Sequence, residues 1–254
     1  MIKITIIGYG NVAQHLIDAF EQNSKVSIEQ VFSRNENTVV NSYSSIKIIS
    51  NWNELLPADV FIIAVSDDAI AEVSKKFPLK NQLVVHTSGG VDLEILSKNN
   101  RRGVFYPLQT FTKGKKVDFK KIPICIEAEQ DNDLKILEQL AALISEKTHL
   151  INSQQRKALH VAAVFVNNFV NHLYQIGSEI CQENQIPFSI LEALITETAS
   201  KIERLSPKNA QTGPAKRNDK GTIDAHLDFL KSDVSKQEIY KLLTQSIQNN
   251  GTEL

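Results

Sequence analysis

Apolar positions in the first 150 residues come as short, β-branched runs set apart by stretches of helical period, and after residue 153 such runs stop. The pattern predicts strands at 2–7, 26–32, 60–65, 83–86, 104–106 and 122–126, with a short piece at 148–151. Between them it predicts helices at 12–22, 67–76, 92–98 and 131–145. Strands separated by helices of this length build a mainly parallel sheet covered on both faces, an α/β arrangement. Right-handed crossovers leave a crevice at the strands' C-terminal ends. The later strands need not all be parallel.

Residues 154–183 read as one helix, free of proline and holding a single glycine. Pro187 stands where a first-turn proline opens the next helix, 189–204. A loop over 206–218, with Pro207, Gly213 and Pro214, precedes helices at about 219–230 and 234–248. The chain therefore divides into an α/β domain, 1–152, and an all-helical domain, 153–254, with the boundary near Asn152.

Composition narrows the function classes. Apolar residues make up 42% and charged residues 22%, as in a soluble globule, and a net charge of −1 argues against a nucleic-acid or anionic-membrane partner. No stretch approaches the roughly 18–20 apolar residues of a membrane span. The first residues already read as a core strand, which leaves no room for a signal peptide. Cys125 and Cys181 fit neither a disulfide framework nor metal-ligand spacing, and are expected as reduced core residues of a cytoplasmic protein. No metal cluster, paired acids or Ser/His/Asp arrangement emerges.

The chemistry concentrates at the first turn. Strand 2–7 runs straight into Gly8-Tyr9-Gly10-Asn11-Val12-Ala13, and a helix follows. A strand that turns at once into a helix aims the helix's first N–H groups and the positive end of its dipole at one spot, which suits a pyrophosphate. Gly8 makes the tight turn, Gly10 lets the backbone approach phosphate without a Cβ, and Ala13 takes the small helix-packing position. This is the signature of a Rossmann-like dinucleotide site. Its second strand ends in Ser33-Arg34-Asn35, where an NAD site usually carries an acid. A hydroxyl, a guanidinium and an amide suit a 2′-phosphate, so NADP is the expected cofactor. Ala64 and Val65 are small enough to let the nicotinamide-side ribose and phosphate lie against the next strand end. Ser66 or Asp67 there also suits a helix cap. His86-Thr87-Ser88-Gly89-Gly90 reads either as turn chemistry or as part of the site.

The long helix supplies the other candidates. At about 100° per residue, His160, Lys157, Asn167, Asn168, Asn171, His172, Gln175 and Glu179 share one side, facing a broad apolar side that must pack on other helices or on a second subunit. Amides and imidazoles at that density suggest a concave polar wall. His160 is the candidate proton donor or acceptor, and Asn168, with Asn167 as its near alternative, the candidate amide that orients a carbonyl or imine. The competing reading makes His160 a hydrogen-bonded core residue and the asparagines ties between helices. The segment 211–219, with Lys216, Arg217 and a capping Asp219, reads either as a loop closing over an anionic substrate or as a basic surface loop.

Taken together, the glycine turn, Ser33-Arg34-Asn35, the run from Asp59 to Asp67 and Val84-Val85-His86-Thr87-Ser88-Gly89 resemble the 6-phosphogluconate-dehydrogenase-like superfamily, which includes pyrroline-5-carboxylate reductase and ketopantoate reductase. The run from Gly103 to Phe111, the run from His160 to Asn168 and the run from Thr212 to Asp219 are similar to a little-characterised branch with a Rossmann-like NADP-binding domain and a C-terminal helical domain of unknown function. The resemblance implies an NADP-dependent oxidoreductase that reduces a small carbonyl or imine acid in a cleft between the domains, and a homodimer formed through the helical domain. The superfamily's hydroxyacid dehydrogenases carry a catalytic lysine with asparagine close behind. Here Lys157 and His160 are three apart and Val161 stands where that asparagine would follow. The departure leaves a second reading, a sensor or scaffold that binds NADP without catalysis. A third is a structural dimer whose glycine turn binds nothing.

Overall fold

The computed structural model describes residues 1–34 and 46–249. It forms two compact units, one spanning Met1–Val164 and one beginning at Phe165. In the first, β1 (Ile2–Ile7) leads into α1 (Asn11–Glu21), then β2 (Val26–Phe32), β3 (Lys47–Ile49) and β4 (Val60–Ile63). Next come α2 (Ile70–Lys76), β5 (Leu83–His86), β6 (Arg101–Pro107), β7 (Ile124–Ala128), α3 (Asp131–Ala142), β8 (Thr148–Leu150) and α4 (Ser153–Ala163). All eight strands join one sheet in the order β3-β2-β1-β4-β5-β6-β7-β8. The first six are parallel; β7 runs antiparallel to β6, and β8 parallel to β7. The sequence expectation of a Rossmann-like, mainly parallel sheet followed by helices holds.

Two apolar layers cover the sheet. Side chains alternate along a strand, so Ile4 and Ile6 of β1 face Leu16, Ile17 and Phe20 of α1, while Ile7 joins Phe61, Ile63 and Ile70 on the other face. Each fully buried side chain of this size contributes roughly 1.5–3 kcal/mol. That burial fixes the strand register, and the register brings the loops at the strands' C-terminal ends to one edge.

Several elements differ from the sequence expectation. β3 is a three-residue edge strand that a periodicity argument passes over. Residues 92–98 form only one 3₁₀ turn, Leu93–Ile95, because tertiary bonds claim the chain: Ser97 donates to Ser74 Oγ at 2.8 Å, and Arg102 donates to the carbonyls of Glu94 and Leu96. The long helix is interrupted by a π stretch, Val164–Phe169, so its phase is not a uniform 100° per residue. Asn152, the expected boundary, is the N-cap of α4, in a capping box with Gln155.

The second unit consists of α5 (Val170–Glu183), α6 (Glu192–Lys201), α7 (Pro207–Ala210), α8 (Pro214–Arg217), α9 (Lys220–Phe229) and α10 (Val234–Asn249). Lys236 of α10 pairs with Glu179 and Glu183 of α5 and with Asp233. Asp219 caps α9 by accepting from Thr222 N at 3.1 Å. Among its described residues only Cys181, Ala215 and Lys236 are buried.

Candidate active site

The β1–α1 turn is shaped by two glycines with different duties. Gly8 has φ +117°, and a Cβ there would lie 2.2 Å from the carbonyl oxygen of Ala64. It lets β1 and β4 approach, as Ala64 N donates to Ile7 O at 2.8 Å. Gly10 is the N-cap of α1 with an ordinary φ of −78°, and a Cβ there would meet nothing within 4 Å. Since Gln14 makes the first intrahelical bond, to Gly10 O, the N–H groups of residues 11–13 have no acceptor within α1, and the N-cap glycine has no side chain to cap them. Ala13 is fully buried against the sheet.

This turn borders a cavity of about 630 Å³. Gly8, Tyr9, Gly10, Asn11, Val12, Ser33, Arg34, Ala64, Val65 and Ser66 all line it. The structure thus brings together the residues singled out for a dinucleotide; Asn35 lies outside the described residues. Uncapped N–H groups beside an open position at Gly10 fit a pyrophosphate, so the fold's implied cofactor matches the residues present. Ser66 takes the N-cap position of the turn Asp67–Ala69, but its side chain makes no capping bond.

Other lining residues escape a sequence reading. Trp52, the sole tryptophan of the chain, borders the cavity and stacks on Phe32 with centroids 3.9 Å apart. Its turn is pinned by buried Gln30, which donates to Glu54 O and accepts from Leu56 N, each at 2.8 Å. Glu72, Val73 and Lys76 come from α2. Their spacing, i, i+1 and i+4, is a helix-face signal, but only the strand order shows which site that face meets.

At the same edge a second cluster gathers around Gly89 and Gly90. Tyr106, near the end of β6, places its hydroxyl 3.5 Å from His160 Nδ1, with the rings edge-on. A Cβ on Gly89 would fall 2.6 Å from the Tyr106 ring and 2.7 Å from His160 Nδ1, so glycine is what admits both rings. A Cβ on Gly90 would lie 3.6 Å from His160 Cδ2 and 3.8 Å from Asp67 Oδ2. Asp67 follows Ser66 directly, which joins this cluster to the cavity. Burial, with smaller repulsion from Cys125 and Asp67, pushes the Tyr106 phenol up to about 12, so it stays protonated. Tyr106 ends an apolar run, and nothing in the sequence marks it apart from strand packing.

The segment after β5 divides between the two readings left open for it. Ser88 Oγ accepts from Gly90 N and Val91 N, both at 3.1 Å, and His86 Nδ1 accepts from Ser88 N at 3.2 Å. These are turn-forming bonds. His86 is fully buried, and burial with the nearby Arg156 charge lowers its pKa to about 4. The two glycines reach the His160 cluster.

His160 is held there through the first turn of α4. Fully buried Arg156 pairs with Glu127 of β7 and donates to Val91 O at 2.6 Å. Glu127 also accepts from Ser153 N at 2.9 Å and Ser153 Oγ at 2.8 Å. Lys157, where the resemblance has its lysine, pairs with Asp92 at 3.1 Å. Asn168, with Asn167, falls in the π stretch, in the second unit, and is exposed.

Two family models match separate parts of the chain. A family described as NADP oxidoreductase, coenzyme F420-dependent, matches residues 3–90, and one described as a domain of unknown function, DUF2520, matches residues 122–247. A Bacteroides fragilis protein provisionally named an NADP oxidoreductase is 37% identical, with TM-score 0.87 and 98% of each chain covered. A Thermotoga maritima protein is 22% identical, with TM-score 0.76 and 97% of each chain covered. The 1-pyrroline-5-carboxylate reductase of Streptococcus pyogenes is 14% identical, with TM-score 0.67 and 98% of each chain covered. Among curated proteins none matches the chain.

Proposed function

This chain belongs to the same NADP oxidoreductase family as the Bacteroides fragilis protein, and on that premise we propose that it reduces a small carbonyl or imine acid with NADPH bound along the strand ends. The observation that carries the reading is the cavity lined by the glycine turn, by Ser33 and Arg34, and by Ala64, Val65 and Ser66. In it the backbone N–H groups at the start of α1 hold the pyrophosphate, and Ser33 and Arg34 receive the 2′-phosphate. When bound, the nicotinamide supplies the hydride. The likeness in fold to a pyrroline-5-carboxylate reductase supports an acceptor of the carbonyl or imine kind.

The proton comes from this chain. A histidine side chain can give or take a proton near neutral pH. The Tyr106 hydroxyl beside Nδ1 orients the imidazole, so that Nε2, on the Gly90 side, is the nitrogen that exchanges. His160→Ala is expected to lower turnover by about 10²-fold or more while leaving NADPH affinity within about twofold. Steady-state NADPH oxidation over a panel of 2-oxo acids and cyclic imine acids checks this; unchanged turnover removes His160 from the chemistry. A chain that binds NADPH but oxidises it with no member of the panel is a sensor or scaffold instead.

The helical unit supports a homodimer. Phe165, Val166, Phe169, Ile190, Leu194 and Leu242 are all about half exposed or more, and a helical unit with so little buried apolar surface needs a cover. A second copy of the chain is the proposed cover. Sedimentation at micromolar concentration is expected to give a dimer, and Val166→Glu with Leu194→Glu a monomer; a monomeric unaltered chain contradicts it.

A further inference from the structure

We propose that Glu72 and Lys76, together with Arg34, set how strongly the cavity prefers a dinucleotide carrying a 2′-phosphate over one with a free 2′-hydroxyl. This rests on the dinucleotide reading above and adds two residues to it.

Ser33 and Arg34 reach the cavity from the end of β2, and Glu72 and Lys76 reach the same cavity from α2. Lys76 Nζ donates to Glu72 Oε1 at 2.6 Å, and both side chains are largely exposed, at 61% and 68%. Lys76's hydrogen bond and charge hold the Glu72 carboxyl below its usual range, and the Arg34 charge adds to that effect. One carboxylate therefore shares the cavity with two cations, beside the end of β2, where a dinucleotide site of this kind places the adenosine ribose.

The chemistry of the two nucleotides separates there. A phosphate monoester carries close to two negative charges at neutral pH and only accepts hydrogen bonds. It competes with Glu72 for Lys76 and Arg34, and the carboxylate opposes its approach. A ribose hydroxyl can donate, and Glu72 is an acceptor within reach of the cavity. The acid that is missing from the tip of β2 is thus supplied by α2, where it works against the Arg34 signal. Lys76 offsets it. Because all these side chains are solvated, each charge is worth only a modest factor in affinity.

The test uses the full chain and four probes: NADPH, NADH, adenosine 2′,5′-bisphosphate and AMP. Glu72→Gln is expected to tighten adenosine 2′,5′-bisphosphate and NADPH by roughly fivefold and to weaken NADH by roughly twofold. Lys76→Met is expected to weaken both 2′-phosphorylated probes by roughly fivefold and to leave AMP and NADH unchanged. Both sites are solvated, so the variants should melt with the unaltered chain. Binding of NADPH with a phosphorylated-to-free affinity ratio that neither substitution moves overturns this proposal alone. Binding of neither dinucleotide by the unaltered chain overturns the dinucleotide reading and this proposal with it.

Discussion

Gly10→Asp is expected to leave the unfolding midpoint of the protein unchanged or slightly raised, and to weaken NADPH binding by at least about 100-fold, or about 2.7 kcal/mol. The two halves of that result have one cause. Gly10 is the N-cap of α1, extended at φ −78° and ψ −174°, with no side-chain cap and with open space where a Cβ would be. Aspartate is a good N-cap and adopts this backbone without strain, so the change from glycine favours the helix by a few tenths of a kcal/mol. The same carboxylate then occupies the N–H groups and adds a negative charge where the pyrophosphate would lie. Gly8→Ala should behave in the opposite way. Its Cβ would strike the Ala64 carbonyl and its φ of +117° is strained for alanine, so stability falls before binding can be judged. Thermal melts with and without NADPH separate the cases, since a ligand at about 100 times its Kd stabilises by roughly 2.7 kcal/mol. Loss of that shift in Gly10→Asp at full stability is the expected outcome, and a retained shift would contradict it.

Arg156→Ala is expected to destabilise the first unit by about 3 kcal/mol or more, lowering the unfolding midpoint by roughly 6–12 °C. Arg156 is fully buried, and its guanidinium serves Glu127, Val91 O and Ser153 Oγ together. Removing it leaves Glu127, only 17% exposed, without its cation, and breaking a buried pair from one side costs far more than the pair contributes. The effect also reaches the site: Arg156 is one helical turn before His160, so a loosened first turn of α4 releases the imidazole from Tyr106 and Gly89. Circular dichroism melts check the stability, and turnover per folded molecule should fall as well. A midpoint within about 1 °C of the unaltered chain would show that packing, and not this ion pair, fixes α4.

The parts of the site that are legible in the sequence are those written in consecutive residues. Strand 2–7, the two glycines and Ala13 form one local unit whose apolar pattern and turn chemistry agree, and Ser33-Arg34 follows from the position of the second strand's end. Trp52, Glu72 and Lys76 reach the same cavity only because β2, β1 and β4 are neighbours and the crossovers set α2 beside them. Tyr106 likewise meets His160 through the order β5-β6 and the anchoring of α4 on β7. The 3₁₀ turn at Leu93–Ile95, expected as a helix, is decided by Arg102 and Ser74, which no local window contains. The π stretch at Val164–Phe169 has no such account: its residues suit an ordinary helix, and nothing in their pattern announces the wider turn.

On the proposed function, the strand-end cavity holds a nicotinamide dinucleotide with its 2′-phosphate at Arg34. Trp52 is the chain's only tryptophan and lines that cavity, and reduced nicotinamide absorbs where tryptophan emits. Titrating the protein with NADPH and following tryptophan emission is therefore the most direct measurement. Saturable quenching by NADPH at micromolar concentration is expected, with NADH requiring several times more to reach half-saturation. No saturable quenching by either nucleotide would contradict it.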